Sequence, residues 1–326
     1  MSRGLSYGYS CPVNVYEEFC VLIPTRNRPH EVETLLTSIG ASRVKPFQVV
    51  LVSSGDDISN TVEKFVDKLA ITHIHSEIPG QINQKKLGLS AVDSSVNWVV
   101  FLDDDLLVSP DTFEKAFECV QGFDKKNGKR LGGVGFGLPA TSRFKDHGKA
   151  SQILARFFGI NNQPAGVVLS NGHATSYLEQ QEPTETQWLN GASMWRVEAI
   201  SNYGSHGISS KYAACEDLIF SYPIGKKYLL VYCPSAKIEF QKSEKTDFEN
   251  PAIYVSALYW RYFFILKHNE FSIFRFNLAQ LGRLIFGIVQ NRGRRIKFIS
   301  VCFPATFCVA IDSLLKRDSR KFLESI

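Results

Sequence analysis

Asn97-Trp98-Val99-Val100-Phe101-Leu102-Asp103-Asp104-Asp105 is the stretch whose reading decides the fold. The apolar run from Trp98 to Leu102 predicts a strand covered on both faces, because a half-exposed strand alternates. Three carboxylates follow with no turn residue between them. Like charges this close repel and raise one another's pKa unless a cation sits among them. Ser109-Pro110-Asp111 then predicts a helix start with proline in the first turn. A buried strand ending in acids, followed by a loop and a helix, is how an open α/β sheet builds a ligand site at its carboxyl edge. A solvated acidic loop is the plainer alternative.

Outward from this stretch the chain alternates between strands and helices. Phe19 to Ile23 predicts a first strand stopped by Pro24. Val32, Leu35, Leu36 and Ile39 have helical spacing, with Gly40 as C-cap. Phe47 to Val52 predicts a second strand, Val62 to Leu69 a second helix, Ile71 to His75 a third strand and Gln81 to Val96 a third helix. Such alternation implies parallel pairing and right-handed crossovers. Past the acids come a helix from Pro110 to Gln121 and a glycine-rich strand from Leu131 to Leu138. Gly133, Gly135 and Gly137 look like a nucleotide loop, yet no helix follows, so close approach of another backbone is the better reading. Residues 139–186 are polar and irregular, with turns at Asn161-Asn162-Gln163-Pro164 and Asn171-Gly172-His173, and predict a substrate loop. His73 and His75 share a strand face without a third ligand nearby, which predicts a structural role.

The 326 residues, 44% apolar and 21% charged, suit one large or two moderate globular domains. The net charge of +5 is unevenly spread: residues 271–326 hold ten Lys/Arg against three acids, leaving −2 on the first 270. Seven cysteines (11, 20, 119, 215, 233, 302, 308) show no CxxC spacing, which points to a reducing compartment rather than a disulfide framework or zinc site. The first ten residues lack the apolar core of a signal peptide. Phe298 to Leu315, the nearest candidate for a spanning segment, is interrupted by Pro304 and Asp312. A cytoplasmic protein is expected, peripheral on the inner face of the cytoplasmic membrane. Tyr254 to Phe264 is crowded with aromatics, and Ile273 to Ile288 has apolar residues at helical spacing among basic ones. Those features suit either an anionic membrane surface or an ordinary helical region with a solvated basic face.

Four ordered stretches resemble the family-2 glycosyltransferases, of the bacterial polysaccharide and cell-envelope type. Ile23-Pro24-Thr25-Arg26-Asn27-Arg28 resembles the family's nucleotide-bordering loop, and Gln84-Lys85-Lys86-Leu87-Gly88 its Arg-Asn-x-Gly helix start. Phe101 to Asp105 resembles its DxD strand end. Cys215-Glu216-Asp217 resembles its late acidic pair, followed by Gly225-Lys226-Lys227-Tyr228 and a strand ending Pro234-Ser235-Ala236-Lys237. The resemblance covers about Phe19 to Gln241. It implies a GT-A α/β fold with a mostly parallel central sheet, divided here into an extension (1–18), a catalytic domain (19–250) and an aromatic, basic helical region (251–326).

The resemblance also implies an inverting enzyme that moves a sugar from a UDP-, dTDP- or GDP-linked donor to a glycan or lipid-linked acceptor. A diphosphate leaving group calls for a hard divalent cation with oxygen ligands, Mg²⁺ or Mn²⁺. Asp103 and Asp105 are the expected ligands, Asp103 also contacting the nucleotide. Asp104 points to the opposite side by strand geometry. Pro24, Thr25, Arg26, Arg28, Ser53, Asp56, Lys85 and Asp104 complete the nucleotide-side candidates. Asp217, with Glu216 beside it, is the candidate base, although an acid pair opening a helix also stabilises the helix dipole. Asn190 and Gly191 would line the sugar, with Trp195 either stacking on it or lying in the core. Two departures stand out: Ser53-Ser54 where the family has a base-reading acid, and Gln241 in the stretch where a late histidine is usual.

Three other function classes share some of these features. An inactive nucleotide-sugar-binding homologue would explain both departures. A phosphoryl-transfer domain needs acids at the end of the first strand, where Pro24-Thr25-Arg26 stand. A nucleic-acid-binding tail would not interleave its basic residues with so many apolar ones, and none is expected.

Overall fold

In the computed structural model the first strand, β1 (Phe19–Arg26), lies third from one edge of a sheet with nine strands among the described residues. The structure describes residues 16–123, 128–139, 149–160, 164–204, 215–241, 250–291, 293–318 and 320–323. Residues 1–15 of the expected extension and the turn residues Asn161 to Gln163 lie outside them.

The parallel half alternates between strand and helix: α1 (Pro29–Ala41), β2 (Gln48–Ser54), α2 (Ser59–Glu63), β3 (Ile71–His75), α3 (Gln81–Leu89) and β4 (Trp98–Phe101), with α2 lying ahead of the expected Val62 to Leu69, most of which is turn. β1 pairs parallel with both β2 and β4, and β2 with β3. β1 runs through Pro24 instead of stopping there. The Leu22 carbonyl accepts from the Leu102 N–H, so Pro24, two residues on, faces the same side beyond the last β4 pair. A missing N–H costs nothing at that place. α1 likewise continues past Gly40, and the Ser42 N–H caps the Ile39 carbonyl.

The second half follows as β5 (Leu106–Val108), α4 (Thr112–Phe123), β6 (Leu131–Gly137), α5 (Lys149–Phe157), β7 (Thr184–Thr186), β8 (Ser193–Arg196), α6 (Glu216–Lys227) and β9 (Leu229–Phe240). The sheet order is β3-β2-β1-β4-β8-β6-β9-β5, with β7 also on β9. β8 enters antiparallel between β4 and β6, while β6 and β9 are parallel. Of the β6 glycines, only Gly137 admits a backbone: a Cβ there would stand 2.5 Å from the Pro234 carbonyl, at a bulge in β9. At Gly132 and Gly133 it is the rings of Tyr228 and Trp195 that occupy the space.

Helices α1, α2 and α4 cover one face of the sheet around Val32, Leu36, Val62, Phe113 and Phe117. On the other face lie α3 and α6 and the C-terminal helices α7 (Pro251–Lys267), α8 (Ile273–Gln290), α9 (Arg295–Leu314) and α10 (Arg320–Leu323). The crowded aromatics belong to this core: Tyr259, Trp260, Tyr262, Phe263 and Phe264 are all buried. By length and composition alone α9 is able to cross a membrane, and 22% of its most apolar 18-residue window is buried. Its Pro304 sits inside the helix rather than ending it.

Candidate functional site

The carboxyl ends of β1, β2 and β4 meet the start of α6 and the turn before β8. A turn past the end of β4, closed by the Leu106 N–H on the Asp103 carbonyl, separates the three acids, where the sequence predicts strand alternation. Asp103 turns toward α3 and α6, where the Gln81 carboxamide donates to its Oδ1 at 2.6 Å. Asp104 turns the other way and is buried. It accepts from Thr25 Oγ1 at 2.7 Å and pairs with the half-exposed Arg28 guanidinium at 2.8 Å. Arg28 also reaches Asp105 at 3.3 Å.

Across from Asp103, Gly191 fills the gap to Asp217. A Cβ on Gly191 would lie 3.3 Å from Asp217 Oδ1 and 3.8 Å from Asp103 Oδ2, so only glycine leaves the space between the two carboxylates open. The Gly191 N–H donates to Asp217. Behind Asp217, Glu216 is buried beneath the Tyr203 hydroxyl, which donates to it, and 3.5 Å from the Lys85 ammonium. Lys85 is 1% exposed, and its Nζ stands 5.3 Å from the centre of the Phe101 ring.

Burial, then the charges of Glu216 and Asp103 working against Lys85, push the Asp217 carboxyl up to about 7. Asp103 is raised as well, first by burial and then, against Lys85, by Glu216 and Asp104. Burial alone would lower Lys85, but Glu216, Asp103 and Asp217 hold its pKa above the ordinary lysine value. The Tyr203 phenol is held well above its usual value by burial and by Glu216. Among the described residues, Arg28 meets Asp104 and Asp105 and Lys85 meets Glu216, in a cluster of five carboxylates (103, 104, 105, 216, 217).

This surplus of negative charge suits a hard divalent cation. Among the described residues no three His, Cys, Asp or Glu side chains come together as a metal cage. One or two carboxylates with substrate phosphates and water make an ordinary Mg²⁺ donor set. Asp103 and the part-exposed Asp105 fit that description.

Several candidates take other places than the sequence suggested. Lys85 faces inward to Glu216 and presents no charge to a ligand, because only a buried counter-ion makes Glu216 tolerable there. Trp195, 1% exposed, has no open face for a sugar: it packs between Gly133 and Phe220, and its indole N–H donates to Ser193 at 2.7 Å. Ser53 is occupied by His73 at 2.9 Å and His75 at 3.4 Å, so these histidines serve the strand ends. Pro24 is buried within β1, while Arg26 and Asp56 are exposed beside it, the Asp56 N–H held by Asn27 Oδ1 at 2.8 Å. The Asn190 carboxamide is buried without a hydrogen-bond partner among the described residues, and its backbone N–H donates to Tyr177 Oη at 2.6 Å.

Sequence reasoning missed Gln81, Gln84, Tyr203 and the role of Gln241. Gln84 donates to the carbonyls of Thr25 and Val52, joining two strand ends. Gln241 donates to the carbonyls of Asp104 and Leu106, clamping the acid loop from the place where a histidine was looked for. A cavity of about 500 Å³ lies elsewhere, between the start of α7 and α9, lined by Pro251, Val255, Lys297 and Val301 among others. No carboxylate lines it, so the chemistry belongs at the strand ends.

Residues 20–125 match the model of Glycosyl transferase family 2. No curated protein matches the chain. Among solved structures, S. aureus TarS 1–349 is similar at 14% identity and a TM-score of 0.52, over 94% of this chain and 90% of that one. It is also known in complex with UDP-GlcNAc. The mannosyltransferase PcManGT from Pyrobaculum calidifontis, in complex with GDP-Man and Mn²⁺, gives 13% and 0.53 over 95% and 92%. The chain spans only 43% of the longer S. aureus TarS structure, at a TM-score of 0.50. At such identities the likeness is one of fold. Residues 20–125 thus resemble glycosyl transferase family 2, within a chain that has the GT-A α/β fold.

Proposed function

We propose that this chain is a cation-assisted, inverting glycosyltransferase that moves a sugar from a nucleotide-sugar donor to an acceptor hydroxyl, using residues 19–250. The observation that carries the reading is the pair Asp103 and Asp217 on either side of Gly191, the latter with a pKa of about 7. A base poised near neutrality is both basic enough to accept a proton and ionised enough to be ready.

The acceptor hydroxyl gives its proton to Asp217 as its oxygen bonds to the anomeric carbon, and the bond from that carbon to the diphosphate oxygen breaks. Attack from the Asp217 side, opposite the leaving group, inverts the centre. Asp103 and Asp105 would hold a Mg²⁺ or Mn²⁺ ion, whose charge offsets that of the departing nucleoside diphosphate. Glu216, neutralised by Lys85 and Tyr203, fixes the start of α6 and holds negative charge behind Asp217. Arg28 holds Asp104 and reaches Asp105. Thr25, Arg26, Ser53 and Asp56 border the nucleotide from the strand ends. Asn190 and Gly191 line the sugar, the unpartnered carboxamide of Asn190 having hydrogen bonds to give. A glycan or lipid-linked acceptor, in envelope polysaccharide synthesis at the cytoplasmic membrane face, is the setting that the basic C-terminal helices support.

Thermal shift with UDP-, dTDP- and GDP-sugars tests the reading. One donor is expected to raise Tm only with Mn²⁺ or Mg²⁺, and Asp105→Ala should lose that effect. Equal stabilisation of both proteins without a cation would refute the cation role. A product with retained anomeric configuration would refute the single-base mechanism.

A further inference from the structure

Helix α9 is apolar on both faces, yet only one of them is covered. Phe298, Cys302 and Val309 are buried against the protein, Phe298 against Gly287 of α8 and the ring of Tyr254. On the opposite side Ile296, Ile299, Phe303, Phe307, Ile311 and Leu314 recur at three- and four-residue intervals, 39–87% exposed. This spacing makes one continuous stripe along five helical turns. The stripe exposes on the order of 600 Å², the size at which an apolar patch marks an interaction site. The neighbouring α8 leaves Phe274, Leu281, Ile285 and Val289 in solvent as well.

Charge tells what covers it. No Asp, Glu, Lys or Arg occurs from Phe298 to Ile311, while Arg294, Arg295 and Lys297 stand at one end and Lys316 at the other. None of these four ion-pairs with another described residue, whereas Arg317 is held by Asp312 and Arg320 by Asp318. A second copy packed antiparallel on the stripe would set basic end against basic end, which an isologous contact cannot relieve. A nucleic acid would lay phosphates along roughly 20 Å of uncharged helix. An anionic bilayer satisfies both features, since its headgroups take the basic ends and its acyl boundary takes the stripe.

We propose that α9 is an in-plane anchor that docks the chain on an anionic lipid surface, with Phe303 and Phe307 entering the acyl boundary. One face of the helix is already committed to α7 and α8, so it lies along the surface rather than across it. The inference shares its setting with the function proposed above but stands on α9 alone. The sequence leaves the aromatics of α7 and the periodic run of α8 open between a membrane surface and an ordinary helical region; the α7 aromatics are buried, and the proposed contact lies mainly on α9.

The test is flotation of the full chain with phosphatidylcholine vesicles, with and without one quarter phosphatidylglycerol. Binding is expected to the anionic vesicles and at least tenfold weaker to the neutral ones. Phe303→Ser and Phe307→Ser should each lower binding about tenfold. Replacing Arg294, Arg295 and Lys297 together by Gln should lower it about a hundredfold and remove most of its salt dependence. All of these side chains are exposed, so Tm and donor binding should stay unchanged, which shows the variants are folded. Phe303→Trp should shift its emission to the blue on vesicles and be quenched by lipids brominated near the headgroup. Wild-type binding by the serine variants overturns the proposal, as does tighter binding to duplex DNA. So does concentration-dependent dimerisation that Phe303→Ser abolishes, since the stripe would then be a contact between copies. Quenching by chain-end bromines alone would mean that the helix crosses the bilayer. An Asp217→Asn chain that still floats but transfers no sugar keeps the two proposals apart.

Discussion

Asp217→Asn should make the protein inactive and, at alkaline pH, more stable. The folded-state pKa of Asp217 is about 7, against a model value of 3.8. A shift of that size corresponds to about 4 kcal/mol of penalty on the ionised form, an upper bound because the charge is shared with Glu216, Lys85 and Asp103. About 1–3 kcal/mol is the expected gain when Asn removes the charge. The sign follows from the raised pKa. Wild-type stability is fully present below the unfolded value, falls as pH rises toward about 7, and is level above it. Asparagine does not titrate, so the gain should be complete at pH 8, smaller at pH 5.5 and nearly absent at pH 4. For a chain of 326 residues, 1 kcal/mol corresponds to a Tm change of about 1.5 °C, so calorimetry at pH 8 should read a rise of roughly 2–4 °C. In parallel kcat should drop at least about a thousandfold while donor affinity stays within a few-fold. The wild-type rate should rise with pH and level off near 7, or lower once a cation sits beside Asp103. An Asp217→Asn protein that melts lower at pH 8, or whose gain is the same at pH 4, would refute the argument from crowded charge. Retained turnover would refute the base.

Two further substitutions separate buried framework from site. Lys85→Met leaves Glu216 without its counter-ion and should cost about 3–5 kcal/mol in urea unfolding, with Glu216→Gln in the same chain restoring part of it; a cost below about 1 kcal/mol would show the pair to be solvated. Trp195→Ala should cost about 3–5 kcal/mol, as expected of a core aromatic, whereas near-native stability with a raised KM would return it to the sugar.

The parallel half of the sheet was legible because its strands are unbroken apolar runs and its helices keep strict spacing. What the sequence concealed depends on partners far apart in the chain. Gln81 meets Asp103 across 22 positions, and Tyr203 and Lys85 meet Glu216 across 13 and 131. Uncharged polar residues on a helix carry no signal of such pairing. Lys85 was visible as a motif position, but its direction was not, since an inward lysine reads like an outward one until the acid opposite is known. Trp195 shows the same limit: a tryptophan beside a glycine turn is compatible with a sugar face and with a core, and only burial decides. α3 ends at Leu89, not Val96, because Asp93 turns back to accept from the Ser95 N–H.

The run of three acids is not a three-acid site. Asp104 is assigned to Thr25 and Arg28, and Glu216 to Lys85 and Tyr203, so these two carboxylates act as internal counter-ions. Of their partners, Lys85 is buried with Glu216 and presents no charge to a ligand. By holding charge in fixed places, they keep Asp103 and Asp217 crowded, and that crowding adds to burial, the larger cause, in raising both pKa values. A cation entering beside Asp103 relieves that crowding, so donor and cation should bind together rather than independently. In the proposed reaction the same relief would lower the Asp217 pKa, leaving the group ionised to take the acceptor proton. Removing the buried pair Lys85–Glu216 would then weaken this coupling even though neither residue meets the sugar. The strand end and the helix start, more than a hundred residues apart, work as one electrostatic unit through Gly191, whose missing side chain leaves the space between them open.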